Sequence, residues 1–353
     1  MSITLFTEGD ELYAAMLDSI AGARRSVSLE TYIFAADEVG ERFVQALAER
    51  ARAGIDVRLQ VDAFGSLWVF PRARQAFLEA QGVRVRRFHR WQWRAPWRYN
   101  RRDHRKLLVV DAATAYLGGF NIHRQSSRRY SGDRRWRDTH VQLPGKLAAG
   151  AQQQFELFWR GRRRRDLPLS WDGGSVLLSN HNYRARKRLR RLLDQRLADA
   201  RRSIWLANPY FVPDRAMQRR LIGAAGRGVD VRLLLPAKTD AWLVRWASHA
   251  AYAQLLANGV RIFEYQPRIL HAKTMLVDNR WGMVGTSNLD YRSLRDNYEI
   301  NLLSHAPSLC ADLERQYRVD LEQATEVISR HWSRRRWHHY LTEAIGWAAR
   351  RWL

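Results

Sequence analysis

The sequence has little cysteine, little lysine and no long apolar run. Of its 353 residues one is a cysteine, Cys310, so the chain can form neither an internal disulfide nor a cysteine-based metal site. No stretch of about 18 residues is apolar and uncharged enough to span a bilayer. The N-terminal residues lack the basic and apolar regions of a signal peptide. We therefore expect a protein on the cytosolic side, whose contact with any membrane is peripheral.

The shortage of lysine is informative because the chain is otherwise rich in basic residues. Five of the 60 basic residues are lysines, and the net charge is +25. Part of the arginine excess is typical of codon bias. A charge of this size nevertheless predicts a polyanionic partner, either nucleic acid or an anionic membrane surface. With 46% hydrophobic residues, the chain can also bury a core.

Two of the five lysines stand two residues after a histidine, in a pattern that occurs twice. His104-Arg-Lys106-Leu-Leu-Val-Val-Asp111 is repeated as His271-Ala-Lys273-Thr-Met-Leu-Val-Asp278. A lysine at both positions of an arginine-rich chain indicates a need for a compact ammonium group, which approaches a phosphoryl oxygen as a point charge. The downstream spacing is also repeated, with Gly118 and Asn121 after the first copy and Gly285 and Asn288 after the second.

The repeat extends upstream of the motifs. Ala23–Phe34 resembles Ala200–Phe211, and Gly54–Leu59 resembles Gly228–Leu233. In each half, helical patterns alternate with apolar, β-branched strand patterns, which predicts an α/β fold with a central sheet covered on both faces. We assign the first half to 1–160, a basic linker to 161–175, the second half to 176–325 and an amphipathic C-terminal helix to 326–353.

The repeated motif predicts a site for a phosphoryl group. In an extended strand, a spacing of two puts the histidine and the lysine of each copy on one face. Asp111 and Asp278 complete the two catalytic motifs, but they fall at predicted hairpin turns, where a structural role is favoured over direct catalysis. Small residues at Gly118 and Gly285 let backbone approach the phosphoryl group. Hydrogen bonds to its oxygens are expected from Asn121, Asn288 and Ser287.

Two histidines at one phosphorus can divide the chemistry between them without a metal or another cofactor. One neutral imidazole attacks phosphorus, and the opposite imidazolium protonates the leaving alcohol and later deprotonates the acceptor. Lys106 and Lys273 stabilise charge on the non-bridging oxygens. Each imidazole needs an orienting acid, and we nominate Asp138 and Glu299, which begin equivalent predicted strands. A metal centre is disfavoured, because a lysine beside each histidine repels a cation.

Tryptophan and arginine are concentrated in two further segments. Residues 89–103 form an insertion before the first motif that suits a membrane interface or a channel for a phosphate-bearing substrate. The tail places its apolar residues on one helical face, flanked by arginines. This helix either docks on the core or lies in a lipid interface. The apolar face comprises Trp337, Leu341, Ile345, Ala348 and Trp352.

The two motifs resemble the paired HKD motifs of the phospholipase D superfamily, and the resemblance runs from Phe6 to about Leu303. Flanking segments such as Glu30–Phe34 and Ala207–Pro213 are closer to bacterial cardiolipin synthases, in the branch that lacks N-terminal transmembrane helices. The resemblance implies a duplicated α/β/α sandwich whose pseudo-two-fold related halves form the active site at their interface. It also implies a phosphohistidine on His104, with His271 as acid and base.

The reaction implied by this resemblance joins two phosphatidylglycerols into cardiolipin and releases glycerol, and in this branch phosphatidylethanolamine or another alcohol can serve as donor or acceptor. We expect a phosphatidyltransferase that acts at an anionic phospholipid membrane, on the cytoplasmic side of the bacterial inner membrane. A hydrolase or nuclease of the same superfamily and a non-catalytic binding protein remain as alternatives. Tryptophan-rich segments favour lipid, so nucleic acid is not the expected partner. The symmetric motifs leave open which histidine attacks.

Overall fold

A computed structural model describes residues 2–89, 93, 100–162, 169, 171–333, 335 and 337–350 of the chain. Outside the described residues therefore lie most of the insertion at 89–103, the whole basic segment 163–168 and the tail residues 334, 336 and 351–353. The predictions that fall on Trp91, Trp97 and Trp352 lie outside the described residues as well.

Seven strands of the first half form one mixed sheet: β1 Thr4–Phe6, β2 Ser26–Thr31, β3 Asp56–Asp62, β4 Arg84–Phe88, β5 Leu107–Val110, β6 Thr114–Gly118 and β7 His140–Pro144. Their order across the sheet is β1-β7-β6-β5-β2-β3-β4. Strands β2, β3 and β4 are parallel, as expected for strands joined by helical crossovers, and β5, β6 and β7 are antiparallel.

The helices of this half are α1 Gly9–Ala21, α2 Glu38–Arg52, α3 Arg72–Ala80, α4 Arg128–Ser131 and α5 Gly145–Trp159. Helix α2 illustrates why they form. Asp37 caps its first turn by accepting hydrogen bonds from the backbone N–H groups of Val39 and Gly40. Val39, Phe43 and Leu47 recur at four-residue spacing and are fully buried against the sheet.

Nine strands of the second half form the other sheet: β8 Trp171–Asp172, β9 Ser175–Ser179, β10 Ser203–Ala207, β11 Asp230–Pro236, β12 Arg261–Tyr265, β13 Thr274–Val277, β14 Trp281–Gly285, β15 Ile300–Ser304 and β16 Ala324–Glu326. Their order is β16-β12-β11-β10-β13-β14-β15-β9-β8. The seven central strands repeat the order of the first sheet, with β9 in the place of β1. The predicted duplicated α/β fold is therefore confirmed.

The helices of the second half are α6 Tyr183–Asp199, α7 Arg215–Gly226, α8 Trp242–Ala257, α9 Tyr291–Arg295, α10 Pro307–Glu322, α11 Ser329–Ser333 and α12 Trp337–Ala349. Strand β8 lies inside the segment that we assigned to the linker. Helices α5 and α10 were not among the predicted elements. They contribute to the apolar core between the sheets, which joins Leu117 and Val141 of the first half to Leu276 and Val284 of the second.

The hairpins that follow the two motif strands are nearly identical. Asp111 and Ala112 have φ angles of 54°, and Asp278 and Asn279 have φ angles of 53° and 55°. Two successive residues with positive φ are typical of the turn that matches the twist of a β-hairpin. The predicted turns at both aspartates are therefore confirmed.

The sequence predicts strands over Ser26–Phe34 and Ser203–Phe211, but β2 ends three residues before Phe34 and β10 four residues before Phe211. The chain leaves each sheet at this point, and the rings of Tyr32 and Tyr210 then lie beside the motif histidines, with ring centroids 5.1 Å and 6.3 Å apart, respectively. The apolar pattern continues to Phe34 and Phe211 because both side chains are buried in the core of their own half, beyond the end of the strand.

The C-terminal helix α12 docks on α8 and also leaves an apolar face exposed. Its backbone approaches α8 so closely that a Cβ atom at Gly346 would lie 2.4 Å from the backbone nitrogen of Ala247. Leu341 and Ile345 of the predicted apolar face are 55% and 46% exposed, and Ala348 is exposed as well. The helix therefore packs through another face than the one whose apolar pattern we recognised.

Candidate active site

The two motif histidines lie at the same end of their sheets. Leu107 pairs with Glu30, so His104 lies just beyond the carboxyl end of β2. Thr274 pairs with Ala207, so His271 lies just beyond the carboxyl end of β10. The carboxyl ends of parallel strands are the usual place for ligand sites in α/β sheets.

His104 is fixed against the second half by a short backbone ladder. Its N–H group donates to the carbonyl oxygen of Tyr298 at 3.0 Å, and the Tyr298 N–H group donates to the carbonyl of Arg102 at 2.9 Å. This pairing brings the next residue, Glu299, to the imidazole. The His104 Nδ1 atom lies 3.1 Å from both carboxylate oxygens of Glu299 and 3.1 Å from the carbonyl oxygen of Thr286.

His271 is held in the same way by the first half. Its N–H group donates to the carbonyl oxygen of Arg137 at 2.7 Å. The next residue, Asp138, places its Oδ2 atom 2.5 Å from the His271 Nδ1 atom. The other carboxylate oxygen of Asp138 accepts a hydrogen bond from the Thr139 N–H group at 2.7 Å, which fixes the carboxylate.

Each histidine is therefore paired with the acid of the opposite half. The sequence nominated Asp138 and Glu299 without deciding which histidine each contacts, and the structure brings each of them to one imidazole. A hydrogen bond from Nδ1 to the acid fixes the tautomer and leaves Nε2 as the atom available for chemistry. Both pairs are almost fully buried, with His104 7% and His271 4% exposed.

The two motif lysines lie in the same buried site. Lys106 is 2% and Lys273 is 1% exposed. Each ammonium group donates to the carbonyl oxygen of the histidine two residues before it, at 2.8 Å for Lys106. Burial lowers the pKa of Lys106 to about 7, with a further contribution from Lys273, and burial lowers the pKa of Lys273 to about 8.

The same burial keeps both histidines neutral. Burial and the charges of Lys106 and Lys273 lower the pKa of His104 well below its usual value. Burial and Lys273 lower the pKa of His271 to about 4, although Asp138 opposes this shift. Because the lysine of each half acts on the histidine of the other, the two motifs share one electrostatic environment.

The two acids differ from one another. Burial raises the pKa of Glu299 to about 7, and Lys106 only partly offsets this. Burial would also raise the pKa of Asp138, but Lys273 and the hydrogen-bonded His271 outweigh it, so the pKa is lowered. Asp138 is thus a permanent anion beside His271, whereas Glu299 is a weaker acid beside His104 and is only partly ionised near neutral pH. The sequence motifs are symmetric, but the site is not.

The predicted phosphate-binding residues follow the histidines by 16 or 17 positions in the chain, and their side chains are held differently. The Asn121 Oδ1 atom accepts a hydrogen bond from the Ile33 N–H group at 3.1 Å. The Ser287 hydroxyl accepts a hydrogen bond from the Asn301 amide at 2.8 Å. Asn288 is 4% exposed, and its Oδ1 atom has no hydrogen-bond partner among the described residues. Their role as phosphate ligands stays a prediction.

Asp111 and Asp278 do not contact the histidines. The Asp111 carboxylate accepts hydrogen bonds from the backbone N–H groups of residues 24–26, at 2.7 to 2.8 Å. The Asp278 carboxylate accepts the equivalent bonds from residues 201–203. Both carboxylates tie a hairpin to the start of the neighbouring strand, which is the structural role that the sequence favoured, and a catalytic role for the two aspartates stays a prediction.

The glycines after the motifs make room for protein side chains. A Cβ atom at Gly119 would lie 2.0 Å from the Asp138 Oδ1 atom, and one at Gly285 would lie 2.1 Å from the Asn301 Oδ1 atom. We expected small residues here to admit a phosphoryl group. The structure corrects this interpretation, because the space next to these glycines is occupied by the side chains that position His271 and Ser287.

A buried polar network behind His104 was missed by the sequence analysis. Arg105 is fully buried, pairs with Glu30 at 3.0 Å, and places its guanidinium 3.9 Å from the centroid of the Phe158 ring. Gln60 donates to Glu30 at 2.9 Å and to Asp103 at 2.7 Å. These contacts fix both residues next to His104. In the sequence, this network is indicated by Glu30 and Gln60, which are polar residues near the ends of β2 and β3.

Within the described part of the chain, no helix has the length and apolar character needed to cross a membrane. Among the same residues, no group of three or more His, Cys, Asp or Glu side chains is placed to hold a metal ion.

Comparison with known proteins gives matches over most of the chain. The family model described as "Cardiolipin synthase, PLD-like domain" matches residues 16–159 and 193–321. Cardiolipin synthase 2 of Bacillus cereus is 31% identical, over 96% of this chain and 68% of that protein. Cardiolipin synthase A of Pseudomonas fluorescens is 32% identical, over 92% of this chain and 69% of that protein.

Among solved structures, a phosphatidylserine synthase of Haemophilus influenzae superposes with a TM-score of 0.71 at 13% identity, covering 98% of this chain and 91% of that one. A polyphosphate kinase of Porphyromonas gingivalis superposes with a TM-score of 0.67 at 14% identity, covering 93% of this chain and 49% of that one. At these identities the likeness shows the fold alone.

Proposed function

The chain belongs to the family of cardiolipin synthases with phospholipase D-like domains, and we propose that it is a phosphatidyltransferase that makes cardiolipin from two molecules of phosphatidylglycerol. The observation that carries this proposal is the pair of crossed contacts, His104 with Glu299 and His271 with Asp138. They supply two oriented imidazoles in one buried site, together with two ammonium groups.

In the first step, the Nε2 atom of His104 attacks the phosphorus of one phosphatidylglycerol. The bond from phosphorus to the glycerol oxygen breaks, and the imidazolium of His271 donates its proton to that oxygen, so that glycerol leaves. The product is a phosphatidyl group bound to His104 through a P–N bond. Lys106 and Lys273 neutralise charge on the non-bridging oxygens, and Asn121, Asn288 and Ser287 donate hydrogen bonds to them.

In the second step, His271 removes the proton from a hydroxyl group of the second phosphatidylglycerol. The resulting oxygen nucleophile attacks phosphorus, and the P–N bond breaks to release cardiolipin and a neutral His104. Protons therefore balance over the cycle, because His271 gives one proton to glycerol and regains one from the acceptor. Another alcohol fits the same step, and water in that place gives phosphatidic acid. Phosphatidylethanolamine fits the first step instead, as a donor from which ethanolamine leaves in place of glycerol.

The difference between the two acids supports the assignment of roles. A permanent anion at 2.5 Å stabilises an imidazolium, so Asp138 suits His271 as the acid and base. The partner of His104 is only partly ionised near neutral pH, and the pKa of His104 lies well below its usual value, which suits a neutral nucleophile. His271 becomes protonated when substrate binds, because the negative charge of the phosphodiester raises the pKa of the imidazole and of the other basic groups around it.

We place this reaction at an anionic phospholipid membrane on the cytoplasmic side of the bacterial inner membrane, with the protein attached peripherally. The net charge of +25 supports this placement. Cations close to an anionic leaflet contribute to attachment without a membrane-spanning segment.

The test is lipid analysis after the protein is incubated with phosphatidylglycerol vesicles in the presence of EDTA. We expect cardiolipin and glycerol in equal amounts, and no product from the His104→Ala variant. Phosphatidic acid without cardiolipin would make the protein a hydrolase. If no lipid product formed while a nucleic acid was cleaved, the proposal would fail in favour of a nuclease.

The intermediate is tested by acid quenching a reaction with phosphorus-labelled phosphatidylglycerol and mapping the labelled peptide. Label on the peptide that contains His104 is expected. Label on the peptide that contains His271 instead would reverse the two roles.

A further inference from the structure

Exposed tryptophans lie on two segments at the end of the molecule that carries the histidines. The loop after β3 exposes Trp68 to 91% and Leu67 to 45%. Trp242, the first residue of α8, follows β11 and is 58% exposed. Both segments leave the carboxyl ends of parallel strands, as do the segments that lead to His104 and His271. We call Leu67, Trp68 and Trp242 the apolar rim.

The loop of the first half reaches the site through two contacts. The Asp62 carboxylate, at the end of β3, accepts a hydrogen bond at 2.8 Å from the N–H group of Asp103, the residue before His104. Gly65 packs on Tyr32 so closely that a Cβ atom there would lie 2.5 Å from the Tyr32 carbonyl oxygen. Tyr32 in turn packs on His104, with ring centroids 5.1 Å apart. Trp68 is three residues from Gly65, so its loop lies at the same end of the sheet as His104.

The equivalent segment of the second half is tied to the other histidine. The Tyr210 hydroxyl donates to the Asp240 carboxylate, with oxygen distances of 2.7 and 2.9 Å. The Tyr210 ring lies 6.3 Å from the His271 ring. Trp242 is two residues beyond Asp240. One exposed tryptophan therefore lies on each of two corresponding segments, which follow β3 and β11 and contact the tyrosine beside the histidine of their half.

Cations are placed at the same end. Strand β9 runs toward Glu299, because Ser179 pairs with Ile300, and α6 begins four residues later at Tyr183. The first turns of α6 carry Arg184, Lys187, Arg188 and Arg191, which line a common groove of about 400 Å³. The exposed apolar stripe of α12, which packs on α8, adds Leu341 and Ile345 beside the second half.

We propose that the apolar rim inserts into the interface of an anionic phospholipid bilayer, so that the entrance between the two histidines faces the membrane directly. The inference rests on the proposed phosphatidyltransferase function, and it specifies which surface meets the lipid. Tryptophan suits the boundary between head groups and acyl chains, because its ring is apolar and its N–H group polar. Arginine and lysine beside it attract anionic head groups.

A bilayer accounts for the surface better than a second copy of the chain or a nucleic acid. A second copy would bring two surfaces of like charge together, since the net charge is +25. A nucleic acid would be attracted by the cations but would leave Trp68, at 91% exposure, and Leu67 without an apolar environment. An anionic bilayer satisfies both the charge and the apolar side chains.

The test depends on the fact that the single cysteine of the chain is buried. Cys310 is 1% exposed, so a cysteine introduced on the surface can be labelled selectively in the folded protein. Trp68→Cys and Trp242→Cys, each carrying an environment-sensitive nitrobenzoxadiazole group, are titrated with vesicles of phosphatidylglycerol and phosphatidylcholine. The matched control is Trp171→Cys. Trp171 is 49% exposed and pairs with Val176, at the end of the second sheet away from Glu299.

We expect a blue shift and a rise in fluorescence at positions 68 and 242, and neither at position 171. We also expect the double variant Trp68→Ala/Trp242→Ala to bind these vesicles about tenfold or more weakly in flotation assays, because interfacial affinity scales with buried apolar area. Its cleavage of the water-soluble diester bis(p-nitrophenyl) phosphate is expected to be unchanged, because neither tryptophan belongs to the catalytic groups.

Equal vesicle binding by the double variant and the unsubstituted protein would overturn the proposal, as would an equal response at positions 68 and 171. Binding that depends on phosphatidylglycerol and disappears in salt, yet is unaffected by the double substitution, would also overturn it and assign attachment to charge alone. The proposed function fails separately. If the rim binds vesicles as described but no cardiolipin or phosphatidic acid forms, the membrane surface stands and the enzymatic assignment falls.

Discussion

Replacing Gly119 with alanine tests how the histidines are positioned. The new Cβ atom would lie 2.0 Å from the Asp138 Oδ1 atom, and real Cβ contacts essentially never fall under 3.0 Å, so the oxygen must retreat by about 1 Å. Gly119 does not have a positive φ angle, so alanine fits its backbone conformation. The strain therefore falls on Asp138, whose other oxygen orients His271 at 2.5 Å.

The size of the effect follows from that hydrogen bond. A retreat of about 1 Å takes the Nδ1 to Oδ2 distance beyond the range of a normal hydrogen bond. A hydrogen bond to a charged group contributes about 1.5–3 kcal/mol, which corresponds to a loss of roughly 10- to 150-fold in rate if it is lost in the transition state. We expect this loss in kcat, with little change in KM, because Asp138 acts through His271 and not on substrate.

The assay is cardiolipin formation from phosphatidylglycerol vesicles, accompanied by thermal unfolding of each variant. Gly150→Ala is the matched control, because Gly150 lies in α5 and the nearest atom to its new Cβ would be Leu177 Cδ1 at 3.9 Å. This control is expected to keep full activity and to gain about 0.5–1 kcal/mol of stability. Combining Gly119→Ala with Asp138→Asn should be no worse than Asp138→Asn alone, since both act on one contact. Full activity in Gly119→Ala, or additive losses in the double variant, would refute the reasoning.

Three further predictions follow from the site. Inhibition by sulfate should weaken as the pH rises from 6 through about 7 and 8, because Lys106 and Lys273 lose their protons there while the charge of sulfate stays constant. The inhibition constant Ki should rise by up to about tenfold per pH unit for each proton that is taken up on binding. A constant Ki from pH 6 to 9 would contradict this prediction. Lys106→Arg should lower kcat about 100-fold, because a guanidinium does not fit the buried position of the ammonium group. The control Lys187→Arg, at an exposed position, should leave kcat unchanged. Equal activity of the two variants would show that the site does not require a lysine. Asp111→Asn should lower the free energy of unfolding in urea by about 1–3 kcal/mol and leave kcat unchanged, because the Asp111 carboxylate accepts three backbone hydrogen bonds far from the histidines. A loss of kcat at full stability would indicate that Asp111 takes part in catalysis.

Local patterns predicted the strands and turns around the site well. The apolar runs after His104 and His271 became β5 and β13, and the turns at Asp111 and Asp278 formed with the expected backbone geometry. Both predictions depend on residues that are neighbours in the chain. The strand period and the demand for positive φ act over a few residues, so they can be recognised without knowledge of the rest of the fold.

The contacts between the halves could not be predicted in this way. His104 meets Glu299 across 195 positions, and His271 meets Asp138 across 133. These pairings depend on how the two sheets pack, which no local pattern specifies. The same limit explains the glycines, whose neighbours Asp138 and Asn301 lie on the adjacent strands β7 and β15 or at their ends. It also explains α12, because an apolar stripe identifies a face but not whether protein covers it.

The exchange of acids between the halves constrains how such a chain can evolve. A duplicated gene is normally free to let one copy drift while the other keeps the activity. Here neither copy holds a complete set of catalytic groups, because the acid of each serves the histidine of the other. A single half could have worked before duplication only as a symmetric dimer, in which two identical chains exchanged the same contacts. After fusion, the two copies could diverge in their acids, as Asp138 and Glu299 have, but only by specialising for two steps of one reaction.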